Sequence, residues 1–244
     1  MDDGSAIVAQ GVVRSFGRLR ALDGLDLEVR SGEMLGLVGP NGAGKTTFIR
    51  IVAGLLSPSA GRVLVLGQHP GRGVASLLGY MTQSPALYED LTIVENLDFF
   101  GRVYGLARHR ARARGRELLE LLRLNDKANT PVRALSGGQR QLSNLAAAMI
   151  HTPRLLLLDE PTVGIDPVLR VTLWEHFRRL QASGTTLLVT THVLDEAERC
   201  DRVAFIASGR TIAVDAPAAL RERAGATTLE EAFLTLDAAV GAAR

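Results

Sequence analysis

Apolar and polar positions along the chain change period several times, and each change predicts an element. Runs around Ile7 to Val13 and Leu25 to Val29, and "MLGLVG" from Met34, are each bounded by glycine or charged turns and read as strands. A glycine-rich loop follows, and apolar positions from Thr47 to Ala53 then recur at helical spacing. Val63 to Leu66 and Leu78 to Thr82 predict further strands. From Leu91 the period lengthens: Thr92 with Glu95 has the pattern of a capping box, and a helical pattern runs to Leu124 with a break near Gly105.

Beyond "LSGGQ" a helix is expected to about Met149, and then "RLLLLDEP" and "TTLLVTTH" read as buried strands, the first continuously apolar from Leu155 to Leu158, as a strand buried on both faces is. Asp166 followed by Pro167 marks the start of the helix between them, an N-cap with proline in the first turn. Strand, helix and strand in that order imply parallel pairing, with helices on both faces of a sheet. "FIASGRTIAV" predicts a hairpin, and Thr228 with Glu231 caps a last short helix. One α/β unit with an inserted helical block, roughly Pro85 to Ala148, accounts for nearly the whole pattern.

Composition narrows the function classes. The chain has 244 residues, 46% hydrophobic and 22% charged, which is ordinary for a protein with a real core. A net charge of +2 is too small to demand nucleic acid as a partner. The run "RHRARARGR" puts Arg110 and Arg114 on one helix flank and Arg112 and Arg116 on another, a solvated or anionic-lipid-facing surface. Cys200 is the one cysteine, so no internal disulfide forms; a small buried hydrophobe in a reducing cytosol is expected. No apolar run approaches the ~18 to 20 residues of a membrane span, and "MDDGSAIVAQ" lacks the basic start of a signal peptide. A cytosolic chain is expected, with any membrane spans supplied by a partner.

Four stretches carry chemistry. "GPNGAGKTT" has the P-loop spacing of Gly39, Gly44, Lys45 and Thr46 between a strand and a helix. In such a loop Gly42 and Gly44 let backbone N–H groups turn toward a β-phosphate. Lys45 reaches the β- and γ-phosphates, and the Thr46 hydroxyl ligates Mg²⁺. Only Lys45 and Lys127 among the 28 basic residues are lysines, which counts against an accidental match. Asp159 and Glu160 end the leucine strand, where open α/β sheets place ligands; Asp159 would hold Mg²⁺ and Glu160 would polarise an attacking water. His192, if its strand neighbours the leucine strand, would contact the γ-phosphate, whereas His109, His151 and His176 read as structural or exposed. In "LSGGQ" a capping box explains Ser136 and Gln139 but not Gly137 and Gly138, each of which costs up to about 1 kcal/mol relative to alanine inside a helix. Bare N–H groups at a helix start that a phosphate can approach closely would explain them.

"GPNGAGKTT", "LSGGQ", "LLLLDEP", "GIDP" and "TTH", in this order and spacing, resemble the ATP-binding cassette of ABC transporters, and the resemblance covers almost the whole chain. It implies an α/β fold with a P-loop NTPase-type, mainly parallel sheet, an N-terminal antiparallel β subdomain and an inserted helical subdomain. The expected division is a single cassette over 1–244: a β-rich and P-loop core at 1–84, the helical subdomain at 85–148, the core return at 149–216 and a helical tail at 217–244. The implied function is ATP binding and hydrolysis, with Mg²⁺, by a subunit that dimerises on ATP and drives a separate membrane permease. Lys45, Glu160 and His192 would be catalytic. Phe16 would stack on adenine, and Gly39, Pro40, Asn41, Gly42, Ala43, Gly44, Thr46, Thr47 and Gln83 would complete the nucleotide site. Thr46, Gln83 and Asp159 would serve the metal. Ser136, Gly137, Gly138, Gln139 and Asp166 would act in trans, on the nucleotide held by a second cassette, most simply a second copy of the chain.

"LYEDLTIVENLDFFGRVYGL" and "TTLEEAFLTL" further resemble bacterial multidrug and lipid-type exporter cassettes, which implies a chain peripheral on the inner face of the cell membrane. The competing class is a soluble cassette ATPase that remodels DNA or ribosomes without a permease. DNA-repair relatives carry a long coiled coil between the P-loop and "LSGGQ", and here only about ninety residues separate Lys45 from Ser136. Translation-type relatives usually carry two cassettes in one chain.

Overall fold

Leu155 to Leu158 divide by parity. In the computed structural model, which describes residues 4–242, Leu156 and Leu158 join one hydrophobic core and Leu155 and Leu157 another, across the same sheet. Side chains alternate across a strand, so a run that is apolar at every position needs cover on both faces. The first three residues of the acidic start, and residues 243–244 of the expected tail, lie outside the described residues.

The chain runs through β1 (Ser5–Phe16), β2 (Leu19–Arg30), β3 (Met34–Val38), α1 (Lys45–Val52), β4 (Ala60–Val65), α2 (Arg72–Ala75) and β5 (Leu78–Met81). The helical block follows as α3 (Ile93–Val103), α4 (Arg108–Leu121) and α5 (Gly137–Met149). It then returns through β6 (Leu155–Asp159), α6 (Pro167–Ala182), β7 (Thr186–Thr191), α7 (Leu194–Ala197), β8 (Arg202–Ala207), β9 (Arg210–Asp215), α8 (Pro217–Ala224) and α9 (Leu229–Ala242). A six-stranded sheet has the order β5-β6-β7-β3-β8-β9 and is parallel except where β9 returns along β8. A three-stranded antiparallel sheet, β2-β1-β4, covers one face. The fold is therefore mixed α/β, as the motifs imply.

Strands β3, β6 and β7 are buried at every position, and all three stop at the same edge of the sheet. That edge receives the loop of residues 39–44, Glu160 and His192. Capping chemistry is realised as expected. The Thr92 hydroxyl accepts from Glu95 N while Thr92 N donates to Glu95 Oε2, and Ser136 with Gln139, and Thr228 with Glu231, repeat the reciprocal pair. Asp166 Oδ1 accepts from Leu169 N at 3.0 Å, with Pro167 as the first residue of α6.

Several boundaries differ from the sequence reading, each for a local reason. β1 and β2 extend past their apolar stretches because they pair with each other up to the turn between Phe16 and Leu19, where ladder hydrogen bonds outlast the alternation. β4 spans Ala60–Val65 and stops before Leu66, whose φ of 49° leaves the extended region. Helix α1 begins at Lys45, two residues early, because Gly44 at φ 105° ends the loop there. The unexpected α2 is four residues long, too short to show a period. Cys200 is buried and its thiol is pushed up to about 12 by burial, as expected of an inert core residue. Among the described residues no helix is long and apolar enough to cross a membrane.

Candidate active site

A glycine-rich loop can pass close to other backbone only where no side chain intervenes, and here it passes very close. A Cβ on Gly39 would lie 2.0 Å from the Ile206 carbonyl oxygen, and one on Gly44 would lie 2.6 Å from the Ala21 oxygen. The loop is thus wedged between β8 and β2, and it delivers Lys45 and Thr46 to the first turn of α1. Lys45 Nζ donates to the Gly39 and Pro40 carbonyls at 2.7 and 3.1 Å and lies 3.8 Å from Glu160 Oε1. Burial lowers the Lys45 pKa, while the nearby Glu160 and Asp159 act in the opposite direction.

Asp159, at 1% exposure, ends β6 beside Thr46, whose hydroxyl donates to Oδ1 at 3.1 Å. Thr190 of β7 donates to the same oxygen at 2.8 Å, and the Tyr80 hydroxyl approaches Oδ2 at 3.4 Å. Burial and the Asp159 charge push the Tyr80 phenol up to about 12, so it stays a donor. A hydroxyl and one carboxyl group at this spacing form a hard oxygen pair that suits Mg²⁺ shared with substrate phosphates.

Glu160 is left-handed, at φ 51°, an uncommon conformation that costs on the order of 1–3 kcal/mol and is held only where surroundings over-determine it. Its backbone N–H donates to both the carbonyl and the hydroxyl of Thr190, at 3.2 and 3.0 Å. The turn aims the side chain across the sheet edge, where Gln83 Nε2 donates to Oε2 at 3.2 Å and His192 Nδ1 lies 3.3 Å from Oε1. The parallel pairing of β6 with β7 is what brings Glu160 and His192 together.

A cleft of 410 Å³ gathers Phe16, Asn41, Gly42, Gly44, Lys45, Thr46, Thr47, Gln83 and Glu160 in its lining. Phe16 is 46% exposed at one end, with the Arg14 guanidinium 4.7 Å from its ring centroid. Ala43 is buried, and Gly39, Pro40 and His192 border a separate 230 Å³ hollow beneath α9. The remaining expected residues lie elsewhere: Ser136, Gly138, Gln139 and Asp166 line a different cleft of 520 Å³, in which neither Lys45 nor Glu160 takes part. A Cβ on Gly137 would meet nothing within 4 Å, and one on Gly138 would meet only the Leu169 side chain, at 3.1 Å.

Sequence reasoning missed Tyr80 and Thr190. The signal for Thr190 was a pair of hydroxyls, Thr190 and Thr191, at the end of a buried strand, where each must find a partner. Tyr80 gave no such signal, because β5 reads as an ordinary apolar strand until its neighbour is known.

A family model described as ABC transporter matches residues 22–163. The chain is 43% identical over 230 residues to a Nod factor export ATP-binding protein I of Rhizobium leguminosarum bv. viciae, covering 92% of this chain and 74% of that one. It is 43% identical over 230 residues to a daunorubicin resistance ATP-binding protein of Streptomyces coeruleorubidus, covering 93% and 73%. It is 40% identical over 234 residues to ABC transporter G family member 20 of Dictyostelium discoideum, covering 95% of this chain but only 32% of that relative. Among solved structures, an ATP-binding subunit of an ABC transporter superposes with a TM-score of 0.87 at 29% identity, covering 95% of this chain and 99% of that one.

Proposed function

This chain belongs to the ABC transporter family as an ATP-binding, ATP-hydrolysing cassette, and from that premise we propose that two copies close over ATP and drive a separate membrane permease in the direction of export. The observation that carries the reading is the division of phosphate-binding chemistry between two clefts. Lys45, Thr46, Gln83 and Glu160 line one, and the N-terminus of α5 lines the other. Two chains set head to tail bring one of each together at every nucleotide.

In that arrangement Phe16 stacks on adenine, and the loop from Gly39 to Thr47 wraps the phosphates. Lys45 leaves the Gly39 and Pro40 carbonyls for the β- and γ-phosphate oxygens. Thr46 and Asp159, with Gln83, would hold Mg²⁺, which would neutralise phosphate charge when bound. Glu160 orients and polarises the attacking water, and His192 contacts the γ-phosphate. Ser136, Gly137, Gly138 and Gln139 cover that phosphate from the second chain, and Asp166 crosses between the two. Closure draws its free energy from contacts made only when both chains meet the nucleotide.

We take the export direction from the likeness to a Nod factor export ATP-binding protein, and propose that the chain works at the inner face of the cell membrane. For the permease contact the chain offers a ridge of exposed Tyr88, Phe99 and Val103, just beyond the Gln83 loop. Asn96 holds that loop in shape, with its side chain bonded to both the N–H and the carbonyl of Tyr88.

The test is Glu160→Gln. It should slow hydrolysis at least ~10²-fold, the scale for losing a group that stabilises the transition state, and it should trap an ATP-dependent dimer visible by light scattering. A monomer at millimolar Mg-ATP would contradict the closure.

A further inference from the structure

Glu196 is 4% exposed in the short helix α7 and is given no part in the hydrolysis described above. Its carboxyl group joins three segments that each carry a proposed site residue. Oε2 accepts from Thr162 Oγ1 at 2.6 Å, two residues beyond Glu160, and from Thr191 Oγ1 at 3.3 Å, the residue before His192. Oε1 lies 3.4 Å from Arg170 Nε near the start of α6, and Arg170 Nη2 reaches the carbonyl of Ile165, next to Asp166, at 3.5 Å. Thr162 and Thr191 are buried as well, and the Thr191 hydroxyl also accepts from Val193 N at 2.9 Å, which closes the turn around His192.

A buried carboxyl group is expensive to desolvate, and well-packed apolar residues often serve stability as well or better. A bonded one does fix where its partners sit. Here the partners are the segments bearing Glu160, His192 and Asp166. We propose that Glu196 is a positioning residue for ATP hydrolysis: it sets the His192 and Glu160 segments against each other and ties both to the Asp166 loop that faces the second cassette. Thr190 ties β6 to β7 on the sheet side of Glu160, and Glu196 ties the loops beyond it.

The proposal rests on the ATPase reading above. Its test is steady-state turnover and binding of a fluorescent ATP analogue by Glu196→Ala, Glu196→Gln and Thr162→Val beside the parent chain. A misplacement on the ångström scale costs roughly 10- to 100-fold in kcat, and that loss is expected for Glu196→Ala with KM and binding held within about threefold. Glu196→Gln keeps an oxygen acceptor for the two threonines and should recover most of the turnover. Thr162→Val, nearly isosteric, should fall between, and should add little on top of Glu196→Ala. Parent-level kcat in Glu196→Ala or Thr162→Val would overturn the proposal. So would a Gln variant as slow as the Ala one, or kcat and binding lost together. If Glu196→Ala fails to fold, Thr162→Val and Glu196→Gln decide. A parent chain without ATPase activity would sink the underlying reading, whereas an active parent with unaffected variants would sink only this one.

Discussion

Two glycine-bearing turns start helices in this protein, and their glycines answer to different masters. In the loop before α1, Gly39 and Gly44 are required by the chain itself: added Cβ atoms would strike the backbone oxygens of Ile206 and Ala21, and Gly44 sits at φ 105°. In the turn that starts α5, Gly137 faces open space and Gly138 meets only the end of a leucine side chain, and neither has a positive φ. Nothing among the described residues demands a glycine at Gly137. The first turn is built for the fold and the phosphate together. The second makes sense for a ligand that arrives from outside, which fits a nucleotide carried by another chain.

That contrast can be broken by alanine. Gly39→Ala should destabilise the fold by about 3 kcal/mol, since the obstacle is backbone and cannot swing aside, and should abolish ATP binding with it. Thermal unfolding and nucleotide binding read both effects. Gly137→Ala should do the reverse: the helix gains up to about 1 kcal/mol from the better propensity of alanine, ATP binding by the single chain is unchanged, and turnover falls. A Gly137→Ala chain that hydrolyses ATP at the parent rate would remove the functional reading of that glycine.

Gly138→Ala is the finer probe. Its Cβ would need Leu169 to yield by a few tenths of an ångström, so a stability change of less than about 1 kcal/mol is expected. The smallest effect expected is at Cys200, whose thiol lies 3.1 Å from where a Gly36 Cβ would sit, on the strand that feeds the P-loop. With its thiol raised to about 12 by burial, it should resist a thiol reagent at pH 8 in the parent chain and in Gly137→Ala. Faster labelling in Gly39→Ala than in Gly137→Ala would show that only the first turn is part of the core.

What could be read from the sequence follows the same divide between local and distant causes. Capping boxes at Thr92, Ser136 and Thr228 were legible because both partners lie within one turn. The leucine strand and the P-loop were legible because burial on both faces and phosphate binding each impose a residue type at nearly every position. The ties that position Glu160 were not legible: Thr190, Tyr80 and Glu196 reach it or its neighbours only through the pairing of β5, β6 and β7 and the return of α7. The left-handed backbone at Glu160 was hidden for the same reason, since the groups that hold it come from β7.

The most direct measurement is a mixing experiment in the slow-hydrolysing Glu160→Gln background. One chain also carries Lys45→Ala, which damages its P-loop, and the other carries Gly138→Asp, which puts a charged side chain on its helix start. Each chain alone should stay monomeric with millimolar Mg-ATP, and the mixture should form dimers by size-exclusion chromatography with light scattering, because the intact P-loop of one chain meets the intact "SGG" turn of the other. ATP-dependent dimers of either chain alone, or a mixture that stays monomeric while the Glu160→Gln control dimerises, would contradict a phosphate site shared between two chains.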